Sequence, residues 1–129
     1  MTTFEEIMKS LFYNQTAWYV DMFGKIKSNR TTLYADRNNC TSQAHIDKWL
    51  CVNDMINVAK FYNQDWVPDW SNSEERKFAI AVTNIAAQQF GVVEVTDNLS
   101  GFVVFRTYGD AQKAMTTLGK EKLTLIFLK

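Results

Sequence analysis

Apolar side chains at Phe4, Ile7, Met8, Leu11 and Phe12 follow the 3.6-residue period of an amphipathic helix, and Thr3 and Glu6 have capping-box spacing at its start. The same phase resumes at Trp18, Tyr19, Met22, Phe23 and Ile26. It predicts either one long helix or two helices broken at the polar residues 14–16, with Gly24 as a stop. Residues 27–43 are polar and read as a long loop bearing Arg30 and Arg37. From about 44 to 62 a second helix is expected, capped by Ser42, with Ile46, Trp49, Leu50, Met55, Ile56, Ala59 and Phe61 wrapping much of its surface. So broad an apolar face implies a central helix covered on more than one side.

Beyond the segment around Pro68, the only proline, the pattern changes to short runs. Strands are expected over 77–83, 91–96 and 101–106, the last two joined as an antiparallel hairpin by the turn-like Asp97, Asn98, Ser100 and Gly101. Residues 84–90 fit either a loop or a helical turn. Thr107 and Asp110 then have capping-box spacing ahead of Ala111, Ala114, Met115 and Leu118, and Gly119 closes that helix. The tail from 120 fits a short final helix, with an edge strand as the alternative. The sum is an α+β fold: N-terminal helices and a central helix packed on a small three-stranded antiparallel sheet, followed by one or two C-terminal helices. We read it as a single domain over 1–129, with an N-terminal helical region and loop (1–43) and a core (44–129).

A chain of 129 residues, 47% hydrophobic and 14% aromatic, can bury a core without metals or disulfides. Fourteen basic residues balance fourteen acidic ones, so no general attraction to phosphate backbones or anionic lipid exists, and nucleic-acid binding is not expected. No apolar run is long enough to span a bilayer, and the start lacks the pattern of a secretory leader; a cytoplasmic location is expected, or a virion. Cys40 and Cys51 lack zinc-site spacing and read as free thiols.

Candidate chemistry is sparse. The single histidine, His45, falls in the first turn of the central helix and reads as a capping or surface group. Glu5, Glu6, Glu74 and Glu75 read as helix-start or solvated-turn carboxylates. No phosphate-cradling glycine motif is present, and no metal or cofactor is expected; Asp65 and Asp69 are the nearest approach to a ligand pair. Residues 100–115 resemble the RNP1 strand and helix of an RNA-recognition motif. Phe102 and Phe105, three apart, would however point to opposite faces of a strand, whereas stacking residues share one.

The densest feature is Trp66, Pro68, Asp69 and Trp70, followed by Lys77 and Phe78. Read structurally, the indoles close the end of the central helix against the sheet, Pro68 fixes the backbone and Asp69 accepts loop amide bonds. On that reading Trp70→Ala costs about 3 to 5 kcal/mol. Read functionally, the pair is an exposed hot spot for a partner.

Residues 46–127 resemble small bacteriophage, prophage and mobile-element proteins of the kind found in Bacteroidetes. Their pattern is a helix ending in Asn (Asn63), then W-x-P-D-W, a polar turn, a Lys and an aromatic opening a strand (Lys77, Phe78), and a strand Phe (Phe105) running into an Ala-rich helix (Ala111, Ala114). This chain departs from it at Asp65, where Gly is common, and at Ala79 and Ala81, where aromatics are common. The resemblance implies an origin rather than an activity. From that origin we expect a non-enzymatic interaction protein, acting for example on a host defence complex, with Trp18, Tyr19, Arg30 and Arg37 as partner contacts. The alternatives are a virion or homo-oligomeric component, and a single-stranded nucleic-acid or small-nucleotide binder.

Overall fold

Helix α1 (Phe4–Phe12) opens the computed structural model, which describes residues 1–96 and 103–129. Its capping box is formed: the Thr3 hydroxyl accepts from the Glu6 amide at 3.1 Å, and the Glu6 carboxylate accepts from the Thr3 amide at 3.3 Å. Asn14, at φ 57°, ends the helical course. The chain then forms strand β1 (Gln15–Val20) and strand β2 (Ile26–Thr31), an antiparallel hairpin pairing Gln15 with Thr31 and Val20 with Ile26.

The helical continuation expected after residue 14 is therefore corrected to a β-hairpin. Trp18, Tyr19 and Val20 favour a pleated strand, and two left-handed residues, Asn14 and Gly24 (φ 79°), flank β1 and its turn. The Asp21 carboxylate accepts from the amides of Phe23 and Lys25, both at 2.9 Å, and fixes that turn. Met22 and Phe23, whose spacing suggested a helix, sit in the turn at 90% and 79% exposure. The expected loop shrinks accordingly, since β2 takes its first part.

The second half is built on helix α2 (Gln43–Asn63), strands β3 (Lys77–Asn84) and β4 (Gln89–Val95), and helix α3 (Tyr108–Phe127). The Ser42 hydroxyl accepts from the His45 amide at 3.1 Å at the start of α2. A tight turn at 85–88, with Gln88 at φ 53°, joins β3 and β4 into an antiparallel pair. The α3 helix starts where Thr107 accepts from the Asp110 amide and is kinked at Gly119 (φ 82°, ψ 161°), after which it resumes to the tail. Packing divides the described chain into two units, Met1–Asp47 and Lys48–Lys129, the boundary falling within α2.

The class is α+β, but among the described residues the single three-stranded sheet is corrected to two separate two-stranded antiparallel sheets. Of the expected third strand, Gly101 and Phe102 lie outside the described residues. Phe105 makes only an isolated bridge, and its partner is Phe78 of β3 rather than β4. The ring explains the choice: Phe105 is 0% exposed, and its burial beside Phe78, Met55 and Ala114 fixes the segment there.

In the second unit one core joins Cys51, Met55 and Ala59 of α2 with Phe78, Ile80 and Phe105, and with Ala111, Ala114, Leu118, Leu123 and Ile126 of α3. A smaller cluster of Ala79, Val95 and Val104 packs against Trp66. Of the apolar residues expected to wrap α2, Ile46, Met55 and Ala59 are buried, whereas Trp49, Ile56 and Phe61 are exposed.

Candidate functional site

The segment from Asn63 to Phe78 forms a cross-linked loop. At the end of α2 the buried Asn63 side chain donates to the Val104 carbonyl at 2.8 Å and accepts from the Arg106 amide at 3.1 Å, in the manner of a strand partner. Gln64, at φ 54°, turns the chain out of the helix. Trp66 then packs half-buried on Ala79, Val95 and Val104.

Two carboxylates organise the rest of the loop. Asp69 accepts from the Ser71 hydroxyl at 2.6 Å and the Ser71 amide at 3.0 Å, and these bonds hold its carboxyl below the ordinary range. Glu75 accepts from the Asp69 amide at 2.8 Å and lies 3.3 Å from the Lys77 ammonium; the Asp69 bond foremost lowers its carboxyl. Lys77 is buried; its ammonium donates to the carbonyls of Asn72 (3.3 Å) and Glu75 (3.2 Å) and pairs with the Glu75 carboxylate. Trp70 lies over the ammonium at 5.0 Å.

So arranged, Lys77 is enclosed by its acceptors. Of the expected motif residues, Asp69, Trp70 and Lys77 join through this network, Trp66 packs on the smaller cluster, Pro68 is half-buried, and Phe78 enters the core with its ring edge-on to Tyr108. Trp70 remains 36% exposed, so its truncation costs less than a core aromatic; Trp70→Ala should lower stability by about 1 to 2 kcal/mol in urea unfolding.

The four expected partner contacts all lie in the N-terminal unit but are not brought to one point. Trp18 and Arg30 share one face of the hairpin, being opposite Ser28 and Thr16, and Tyr19 belongs to the other. Trp18 is also bridged through its backbone to Cys40, with N···O distances of 2.9 and 2.7 Å. Tyr19 accepts from the Asn29 amide at 2.6 Å, Arg30 donates to Asn14 at 3.4 Å, and the Arg37 guanidinium lies 5.2 Å over the Phe4 ring. The loop after β2 is tied to α1 by Tyr34, whose hydroxyl donates to Glu5 at 3.1 Å and whose ring meets Tyr13 edge-on.

Along α1, Phe4, Ile7 and Leu11 are 60%, 45% and 47% exposed, and Phe12 is the residue this helix buries. No protein family matches the chain, and neither a curated protein nor a solved structure matches it.

Among the described residues no group of three or more His, Cys, Asp or Glu side chains is placed to hold a metal ion. His45 accepts from the Thr41 amide at 3.0 Å and closes the helix start. Phe105, the aromatic an RNA-recognition strand would present, is fully buried. Among those residues, too, no helix is long and apolar enough to cross a membrane.

Sequence reasoning missed the roles of Glu75 and Asn63. Glu75 reads as one of two solvated turn acids, and the signal for its role was a buried-strand Lys two residues later. For Asn63 the signal was its recurrence at the helix end in the resembling pattern.

Proposed function

We propose that the chain is a non-enzymatic interaction protein of phage or mobile-element origin, acting inside a host cell on a protein target such as a defence complex. The observation that carries the binding role is the apolar face of α1. Phe4, Ile7 and Leu11 stand in line on a helix whose capping box and Tyr34 tie hold it in place. A fixed row of exposed apolar side chains is what a partner surface buries. The W-V-P-D-W segment supports the proposed origin, through its resemblance, and its hydrogen-bond network supports a scaffold role for it.

The test is a variant that removes the row and, with it, only the Arg37 contact on the Phe4 ring. Phe4→Ser with Ile7→Ser and Leu11→Ser should leave the circular dichroism spectrum and unfolding midpoint nearly unchanged and abolish capture of the host target. Unimpaired capture would refute the assignment. Light scattering on the purified chain tests the virion or oligomer alternative: a stable multimer would favour it, and a monomer favours the interaction protein.

A further inference from the structure

In the N-terminal unit a pocket of about 290 Å³ lies between the β1–β2 hairpin and the loop that follows it. Ala17, 1% exposed, forms its floor, and Tyr19, Asn29, Asp36 and Asn39 line it. The walls are held from within. Asn39 donates through its amide nitrogen to the Leu33 carbonyl at 2.9 Å, Thr31 accepts from the Leu33 amide at 2.9 Å, and Asn29 donates to the Tyr19 hydroxyl.

The charge of the pocket is one-sided. Asp36 has one carboxylate oxygen on the Asn38 amide at 2.9 Å, and no ion pair reaches it among the described residues. Arg30, the one basic residue on the wall, is opposite Thr16 in the register, so its side chain leaves from the other strand face and reaches Asn14. What the pocket's side chains offer is thus the Asp36 carboxylate, amide oxygens and a tyrosine, the Arg30 guanidinium being engaged by Asn14 on the other strand face.

We propose that this pocket captures the guanidinium of an arginine side chain carried by the partner protein. A planar cation with five N–H donors matches a carboxylate beside amide oxygens, and it is attracted to an aromatic ring; a compact, strongly hydrated ammonium matches less well. The size accepts one such side chain. The inference deepens the reading of this unit as a protein-binding surface and rests on it only for the carrier of the guanidinium.

The experiment uses the full chain and free probes, so its outcome is separate from partner capture. N-acetyl-arginine amide is titrated against the ¹⁵N-labelled protein, with the N-acetyl amides of lysine and citrulline as comparisons. The arginine probe should give saturable shifts at Tyr19, Asn29 and Asn39 with Kd in the range of about 1 to 10 mM. The lysine probe should bind several-fold more weakly, and neutral citrulline should not bind. Asp36→Asn, which keeps an acceptor for the Asn38 amide, should weaken the arginine probe about tenfold or more. Absence of saturation by the arginine probe, or equal binding of citrulline, would overturn the proposal. So would unchanged binding by a folded Asp36→Asn variant; the comparison of probes on the natural chain stands even if that variant fails to fold.

Discussion

Asn63 and Glu75 do more in this structure than the tryptophans that draw the eye in the sequence. Asn63 ties the end of α2 to both sides of Phe105 through one buried and one partly buried hydrogen bond. Asn63→Ala orphans a buried carbonyl and a partly buried amide, and should lower the unfolding free energy by about 2 to 3 kcal/mol in urea titration. Asp69 and Glu75 give the loop a pH signature. Their carboxyls are held below the ordinary range by hydrogen bonds, so their contribution is complete above about pH 4.5 and is lost as pH falls through the lowered native values. The urea midpoint should fall with acidification below that pH, and more shallowly in Glu75→Gln. These roles were illegible in the sequence because hydrophobic patterning reports burial of apolar side chains, whereas a polar network depends on three-dimensional closure. The enclosure of Lys77 needs carbonyls of Asn72 and Glu75, which no side-chain pattern encodes.

At the scale of elements, α1, α2 and α3 were readable from their starts, where Thr3, Ser42 and Thr107 each cap, and β3 and most of β4 from their short apolar runs, although β4 begins at Gln89, inside the stretch expected as a loop or helical turn. The β1–β2 hairpin was not readable, because exposed Met22 and Phe23 in its turn completed a false helical period. The pairing of Phe105 was misjudged for a different reason: adjacency in sequence favours β4, but the buried ring selects β3. The kink of α3 is a further consequence of one residue. Gly119 occupies a backbone region open essentially to glycine alone, at φ 82° and ψ 161°. Gly119→Ala should destabilise the chain by about 1 to 3 kcal/mol by thermal or urea unfolding, since a Cβ is strained there even though nothing crowds it.

At the scale of the whole molecule, the described chain packs as two units. The residues of Lys48–Lys129 hold a continuous core and the Asn63–Phe78 network. Those of Met1–Asp47 bear the exposed α1 row and the Asp36 pocket on a smaller buried set that includes Phe12, Ala17, Cys40 and Ile46. A scaffold residue and a contact residue should therefore respond to substitution in opposite ways. The decisive measurement is the Kd of the captured host target, by calorimetry, for the natural chain, for Trp70→Ala and for the Phe4→Ser, Ile7→Ser, Leu11→Ser variant, under conditions where all three are folded. If α1 is the contact surface, Trp70→Ala leaves Kd unchanged and the α1 variant weakens it at least about a hundredfold, as loss of a hot-spot row entails. Weakening by Trp70→Ala with an unaffected α1 variant would contradict that assignment and return the W-V-P-D-W loop to the role of contact surface.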